Sequence, residues 1–172
     1  MLKPIIRTLW WEKGRLYILD QRYLPERERI VELKSSSDVW KAIRNLSIRG
    51  APAIGCVAAY GVALSALKAS KKDREEFIKI IKGDIKRLKT SRPTAYNLFF
   101  ALSRMEKVLT EFNDVSVSEL KERLLKEAEK IYREDLTSCY KIGLNGADLI
   151  EDGMSILTHC NAGGLATSGY GT

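Results

Sequence analysis

The stretch AIGCVAAYGVALSALKA, residues 53–69, decides the fold of this 172-residue chain. Its residues are apolar or small almost all the way round a helix, whereas a surface helix carries a single apolar stripe. Other elements must therefore cover this helix on every side. The longest apolar run, residues 51–67, is interrupted by a proline, two glycines and a serine, which makes it a poor candidate for a membrane span.

Four further helices are predicted around it, each from a start signal followed by an apolar period of about 3.6 residues. The start signals are Asp38 and the capping-box pairs Asp73–Glu76 and Ser116–Glu119, and the remaining helix follows a break at Pro93. The last helix is predicted to run to Ile150, with a weak point near Asn145-Gly146. These helices form a helical domain over residues 36–150.

The residues before them predict a small antiparallel β unit over residues 1–35. IIRTLWW and RLYILDQ are joined by EKG, in which Gly14 can adopt a positive φ, as a hairpin requires. RIVEL, residues 29–33, is a candidate third strand.

The last segment, residues 151–172, changes character. A tight turn at Asp152-Gly153 precedes an apolar strand over residues 154–158, and helix-like spacing resumes behind glycines. A single parallel strand cannot bury both of its faces. The pattern therefore predicts an α+β fold that ends in the first βα piece of a Rossmann-like α/β domain, whose remainder lies outside Met1–Thr172.

Composition argues against several classes of protein: nucleic-acid-binding, disulfide-bonded, zinc-binding and secreted proteins. The net charge of +7 comes from mixed-sign runs such as KKDREEFIKIIKGDIKRLK, which are typical of solvated helices rather than of a nucleic-acid-binding surface. Three widely spaced cysteines without CxxC spacing favour neither disulfides nor zinc. The N-terminus shows no secretory signal, so we expect a cytoplasmic protein with no membrane or nucleic-acid partner.

IRGAPAIG, residues 48–55, is a candidate anion site. Arg49 and Gly50 come just before Pro52, which suits the first turn of a helix. Free N–H groups at the helix start and a guanidinium together favour a phosphate ester. The alternative is a Gly-Pro turn that lets a buried helix pack tightly, and spacing alone does not choose between them.

SRPTAYNL, residues 91–98, repeats this arrangement, with Arg92 before Pro93 and a helix start. The alternative for Arg92 is a surface arginine that ends the preceding basic helix.

Cys160 follows the apolar segment and precedes glycines, the place where open α/β sheets bind ligands. A thiol there can act as an acid, a base or a nucleophile. The alternative is a small buried hydrophobe, which is our interpretation of Cys56 and Cys139. His159 alternates to the other side of the predicted strand and is not expected to be a catalytic partner.

IRGAPAIG, RPTAYNL and ILTHCNAGGLAT, with ILDQRYLP and GADLIEDG, together resemble the 5-methylthioribose-1-phosphate isomerases of methionine salvage. The resemblance runs from about residue 9 to Thr172. It implies a helical N-terminal domain, a Rossmann-like C-terminal domain with the active site between them, and a homodimer. It also implies an aldose–ketose isomerase that needs no metal or nucleotide.

By motif match, the resemblance implies that Arg49, Gly50, Ala51 and Arg92 bind substrate, with Cys160 as the catalytic thiol. It places a catalytic Asp, an Asn-Lys pair and a Gln beyond Thr172, so the chain alone is expected to be inactive. Two related alternatives are a ribose-1,5-bisphosphate isomerase and a non-catalytic regulatory subunit of the translation-initiation exchange factor. Those proteins generally lack the APAIG stretch and the THCNAG pairing.

Overall fold

The computed structural model describes residues 6–69, 73–112 and 114–171. Near the N-terminus, a three-stranded antiparallel sheet is formed by β1 (Leu9–Glu12), β2 (Arg15–Leu19) and β3 (Ile30–Leu33), in that spatial order. Lys13 and Gly14 connect β1 to β2 with φ of 50° and 75°, the backbone of a two-residue hairpin turn. The hairpin and the third strand are confirmed.

Five helices follow. They are α1 (Ser36–Arg44), α2 (Ala51–Lys68), α3 (Arg74–Lys89), α4 (Tyr96–Glu111) and α5 (Val117–Ala147). Every residue of α2 from Ala53 to Leu64 is buried, and the helix contacts all four others. The sheet joins this core through Trp11, whose ring stacks on that of Tyr60 with 5.2 Å between centroids. The prediction of a central helix covered on every side is confirmed.

By length and composition, α2 also qualifies as a membrane-spanning helix. However, 72% of it is buried within the fold, as expected for the core helix of a folded domain. In residues 6–69, 73–112 and 114–171 no other helix meets the same criteria.

A capping side chain was predicted for three helices, and the structure confirms two of these three N-caps. The capping oxygens of Asp73 and Ser116 accept from the backbone N–H groups of Glu76 and Glu119, at 2.7 and 3.1 Å. The prediction for α1 is wrong by one turn: the N-cap is Ser35, whose Oγ accepts from the N–H of Asp38 at 3.2 Å. Since β3 ends at Leu33, the still extended Ser35 is the first residue able to cap the helix.

The segment after α5 differs most from expectation. The helix ends at Ala147 rather than Ile150, next to the predicted weak point. Residues 154–158 form no strand but an exposed, irregular segment, because the described residues supply no neighbouring strand to pair with them. In place of a helix start, a 3-10 turn spans Gly164–Ala166. Thr172 lies outside the described residues.

Candidate functional site

The two predicted anion sites lie side by side at the starts of α2 and α4. A Cβ on Gly55, in the second turn of α2, would lie 2.7 Å from the carbonyl oxygen of Asn97 in α4. The two helices therefore pack backbone to backbone where they begin. Their N-cap residues, Gly50 and Ala95, supply no side-chain hydrogen bond to the first turns. Both helix starts thus retain N–H groups that an anion can accept from.

A glycine-rich turn, residues 163–171, packs against the start of α2. A Cβ on Gly50 would overlap the backbone of Ala166, so only glycine allows this approach. Within the turn, Thr167 Oγ1 accepts from the N–H groups of Gly169 and Gly171 at 3.1 and 3.0 Å. The turn is therefore an ordered structure although the segment that precedes it is exposed.

Side chains from distant parts of the chain hold the glycine-rich turn in place. The Thr8 hydroxyl donates to Gly164 O at 2.6 Å, and the Gln21 amide donates to Leu165 O at 2.7 Å. The carboxylate of Asp135 in α5 accepts from the N–H of Ser168 at 2.7 Å. Sequence reasoning missed all three side chains, because their partners lie 33 to 156 residues away and leave no local pattern.

The two candidate arginines keep most of their hydrogen-bonding capacity. Arg49 is exposed, and its Nη2 donates to Gln21 O at 3.3 Å. Arg92 is half-buried, and its guanidinium has no hydrogen bond or ion pair with any residue that the structure describes. Both guanidinium groups are therefore available to an anion.

A cavity of about 310 Å³ opens beside the same helix starts, between α2, α4 and α5. Its lining includes Pro52, Asn97 and Arg104. Arg104 is already paired with two carboxylates: its Nε lies 2.7 Å from Glu127, and its Nη1 bonds Glu134. The cavity therefore offers an anion no unpaired cation among the described residues that line it.

The three cysteines differ sharply in accessibility. Burial raises the pKa of the Cys56 thiol well above its ordinary value and also raises that of Cys139. Cys160 is exposed, as is His159 beside it, and it lies at φ 64°, a region that costs a non-glycine residue free energy. Cys160 is thus the one thiol that a ligand can reach. Because Cys160 is exposed, the described chain forms no closed pocket that contains this thiol together with Arg49 or Arg92.

The close approach of Gly50 to the glycine-rich turn predicts a contrast between two glycine-to-alanine variants. Gly50→Ala must displace backbone, and we expect a loss of about 1–3 kcal/mol in the free energy of unfolding, as for an overpacked core. Gly83→Ala, in the middle of α3 with open space around it, should gain roughly 0.5–1 kcal/mol. Urea unfolding of both variants measures the difference. A Gly50→Ala variant as stable as the wild type would show that the turn does not pack there in solution.

Comparison with known proteins places this arrangement in a family. A model of the Initiation factor 2 subunit family matches residues 47–168. The chain is 46% identical over 160 residues to a protein of Petrotoga mobilis named 5-deoxyribose 1-phosphate isomerase, which covers 93% of this chain and 46% of that protein. It is 47% identical over 174 residues to a methylthioribose-1-phosphate isomerase of Roseiflexus, which covers 99% of this chain and 49% of that one.

Two solved structures resemble the fold of this chain over nearly its whole length. The 5-methylthioribose 1-phosphate isomerase of Pyrococcus horikoshii OT3 superposes with a TM-score of 0.91 at 40% identity, over 96% of this chain and 46% of that one. Subunit delta of translation initiation factor eIF-2B from A. fulgidus superposes with a TM-score of 0.85 at 40% identity, over 96% of this chain and 48% of that chain. The chain spans about half the length of the relatives it matches. From its matched residues and its fold, the chain belongs to the Initiation factor 2 subunit family.

Proposed function

We propose that this chain supplies one half of the active site of an aldose–ketose isomerase that converts 5-methylthioribose 1-phosphate to 5-methylthioribulose 1-phosphate in methionine salvage. The observation that carries the proposal is the 46–47% identity, along nearly the whole chain, to proteins named as isomerases of two such sugar phosphates. The substrates in those two names share a phosphate on C1 and an apolar group at C5, either methylthio or hydrogen. The proposed substrate class is therefore an aldose 1-phosphate with an apolar C5 end.

In this proposal the phosphate binds where α2 and α4 begin. Arg49 and Arg92 donate to its oxygens, and the backbone of Gly50 and Ala51 approaches it closely. Two observations support this placement: the uncapped starts of α2 and α4 lie in contact, and the Arg92 guanidinium has no partner among the described residues.

Cys160 carries protons in the proposed reaction. Since the phosphate occupies the anomeric oxygen, the sugar cannot open to a free aldehyde unaided. The ring oxygen must gain a proton as its bond to C1 breaks, one hydrogen must move from C2 to C1, and the C2 hydroxyl must lose its proton as the ketone forms. A thiol and a carboxylate on opposite sides of the sugar can divide these transfers, and exclusion of water favours the hydrogen shift.

The carboxylate is proposed to come from a second, Rossmann-like part that lies outside the described residues. Five large apolar side chains that are close together in sequence support such a part, because they are exposed and a folded protein normally covers such side chains: Leu149, Ile150, Met154, Ile156 and Leu157. We call this chain together with its second part the assembled enzyme. We propose that it is a cytoplasmic homodimer, as the resemblance implies.

A non-catalytic regulatory role is the second candidate, because the similarity to eIF-2B subunit delta is nearly as high as that to the isomerase structure. Such a protein would bind a translation factor and turn over no sugar phosphate. A ribose-1,5-bisphosphate isomerase is the other candidate, and it would need cations for two phosphates.

A substrate panel tests these possibilities. We expect the assembled enzyme to convert 5-methylthioribose 1-phosphate and 5-deoxyribose 1-phosphate to their ketoses, and to convert ribose 1,5-bisphosphate at least about 100-fold less efficiently, because a second phosphate placed in an apolar site is left without partners. Formation of ketose phosphate, followed by proton NMR, is the measurement. Residues 1–172 alone should show no turnover.

Two results would contradict the proposal. Absence of turnover with all three substrates, together with capture of a translation factor, would favour the regulatory role. Isomerase activity of the purified 172-residue chain would show that the second part is not needed for catalysis.

A further inference from the structure

Gln21 joins the two halves of the candidate site. It lies just after β2 at the start of a 3-10 turn, Gln21–Tyr23, and only 4% of its surface is exposed. A buried glutamine is unusual and must find hydrogen-bond partners. Its side chain bonds the glycine-rich turn, and its backbone makes two hydrogen bonds to the segment that carries Arg49.

The first contact is with the glycine-rich turn. Gln21 Nε2 donates to Leu165 O at 2.7 Å, next to Ala166, which packs against Gly50. Because a carbonyl oxygen can only accept, the group facing it must be the NH₂ end of the amide. A side chain of the same shape without a donor would leave this carbonyl unpaired.

The other two contacts are with the segment that carries Arg49. The backbone N–H of Gln21 donates to Ser47 O at 3.0 Å, and its carbonyl oxygen accepts from Arg49 Nη2 at 3.3 Å. Gln21 therefore bonds the guanidinium and the turn at once. Thr8 also holds the turn, at Gly164, but it has no hydrogen bond to Arg49.

We propose that Gln21 is a positioning residue that couples the anion held by Arg49 to the placement of the glycine-rich turn, and through that turn to Cys160. The inference rests on the proposed function for its effect on turnover, but the coupling itself does not need turnover. An anion that draws Arg49 into a fixed position also fixes the Gln21 backbone, and the side-chain amide passes that order to Leu165.

The kinetic test compares Gln21→Met with Thr8→Val in the assembled enzyme. Both variants remove one hydrogen bond to the same turn, but only the first lies in the link to Arg49. We expect Gln21→Met to lower kcat roughly 10- to 100-fold, because a small misplacement of reacting groups is costly. Thr8→Val should lower kcat less than about 3-fold at a similar loss of thermal stability, since a single hydrogen bond contributes little by itself. If Gln21→Met does not fold, Gln21→Asn, which keeps the amide but is shorter, should show an intermediate loss.

A second readout is independent of isomerase activity. Inorganic phosphate should slow amide hydrogen exchange over residues 164–167 in the wild type and in Thr8→Val, but not in Gln21→Met. If this pattern appears while no sugar phosphate is turned over, the coupling stands and the proposed function fails. Equal kcat losses in the two variants, or no protection of the turn by phosphate in the wild type, would overturn the coupling.

Discussion

Cys160→Ser in the assembled enzyme is expected to reduce kcat roughly 10²- to 10⁴-fold, the range that a positioned acid or base contributes. The substitution replaces sulfur by oxygen with little change in size, but a hydroxyl releases a proton far less readily than a thiol, whose ordinary pKa is about 8.5. KM should change little, because the proposed phosphate site is formed by other residues, Arg49 and Arg92. Steady-state kinetics with 5-methylthioribose 1-phosphate gives both constants.

The control for this variant is the neighbouring residue. His159 is exposed in the same irregular segment, and we assign it no role, so His159→Ala should retain kcat within about 3-fold, as most surface substitutions do. Wild-type turnover by Cys160→Ser would remove the thiol from the mechanism. A large loss in His159→Ala would show that the segment acts through its imidazole instead.

Replacing Arg49 or Arg92 is the second change from which we expect a large loss of isomerase activity. We expect Arg49→Met and Arg92→Met each to lower kcat/KM roughly 30- to 1,000-fold, because a hydrogen bond to a charged group contributes about 1.5–3 kcal/mol and a guanidinium can make two. Arg92→Lys should fall between the wild type and the Met variant, since it keeps the charge but loses the planar fork. Initial rates at low substrate concentration measure the change.

Competitive inhibition by inorganic phosphate shows whether a variant has lost its anion site rather than its fold. Phosphate should inhibit the wild type and lose potency against both Met variants. Arg133→Met is a matched control, because this side chain is 61% exposed on α5 and its ion pair to Glu129 is long, at 3.5 Å. If the control lost as much kcat/KM as the Met variants, the effect would be one of overall charge. Undiminished inhibition in Arg49→Met or Arg92→Met would exclude that arginine from the phosphate site.

Local patterns predicted the parts of the fold that depend on neighbours in sequence. The hairpin at Lys13-Gly14, the caps at Asp73 and Ser116, and the buried α2 all follow from residue types within a few positions of one another. The cap of α1 was misplaced because Ser35 and Asp38 both suit an N-cap, and only the end of β3 decides between them.

The features that depend on distant residues could not be predicted in this way. A strand at residues 154–158 needs a partner strand, and apolar sequence alone does not supply one. The attachment of the glycine-rich turn depends on Thr8, Gln21 and Asp135, which no spacing rule connects to it. The motifs located Arg49, Arg92 and Cys160 as candidates, but the side chains that arrange them became visible only in three dimensions.

The attachment of the glycine-rich turn also limits how far the Cys160 thiol can travel. Gln21 and Asp135 hold the turn at Leu165 and Ser168, and Cys160 precedes Gly163 by only three residues. An extended chain spans at most about 3.6 Å per residue, so the Cys160 Cα stays within about 11 Å of the Gly163 Cα however the exposed segment moves. In the proposed enzyme the segment would act as a short tether, which keeps the local concentration of thiol beside the start of α2 high.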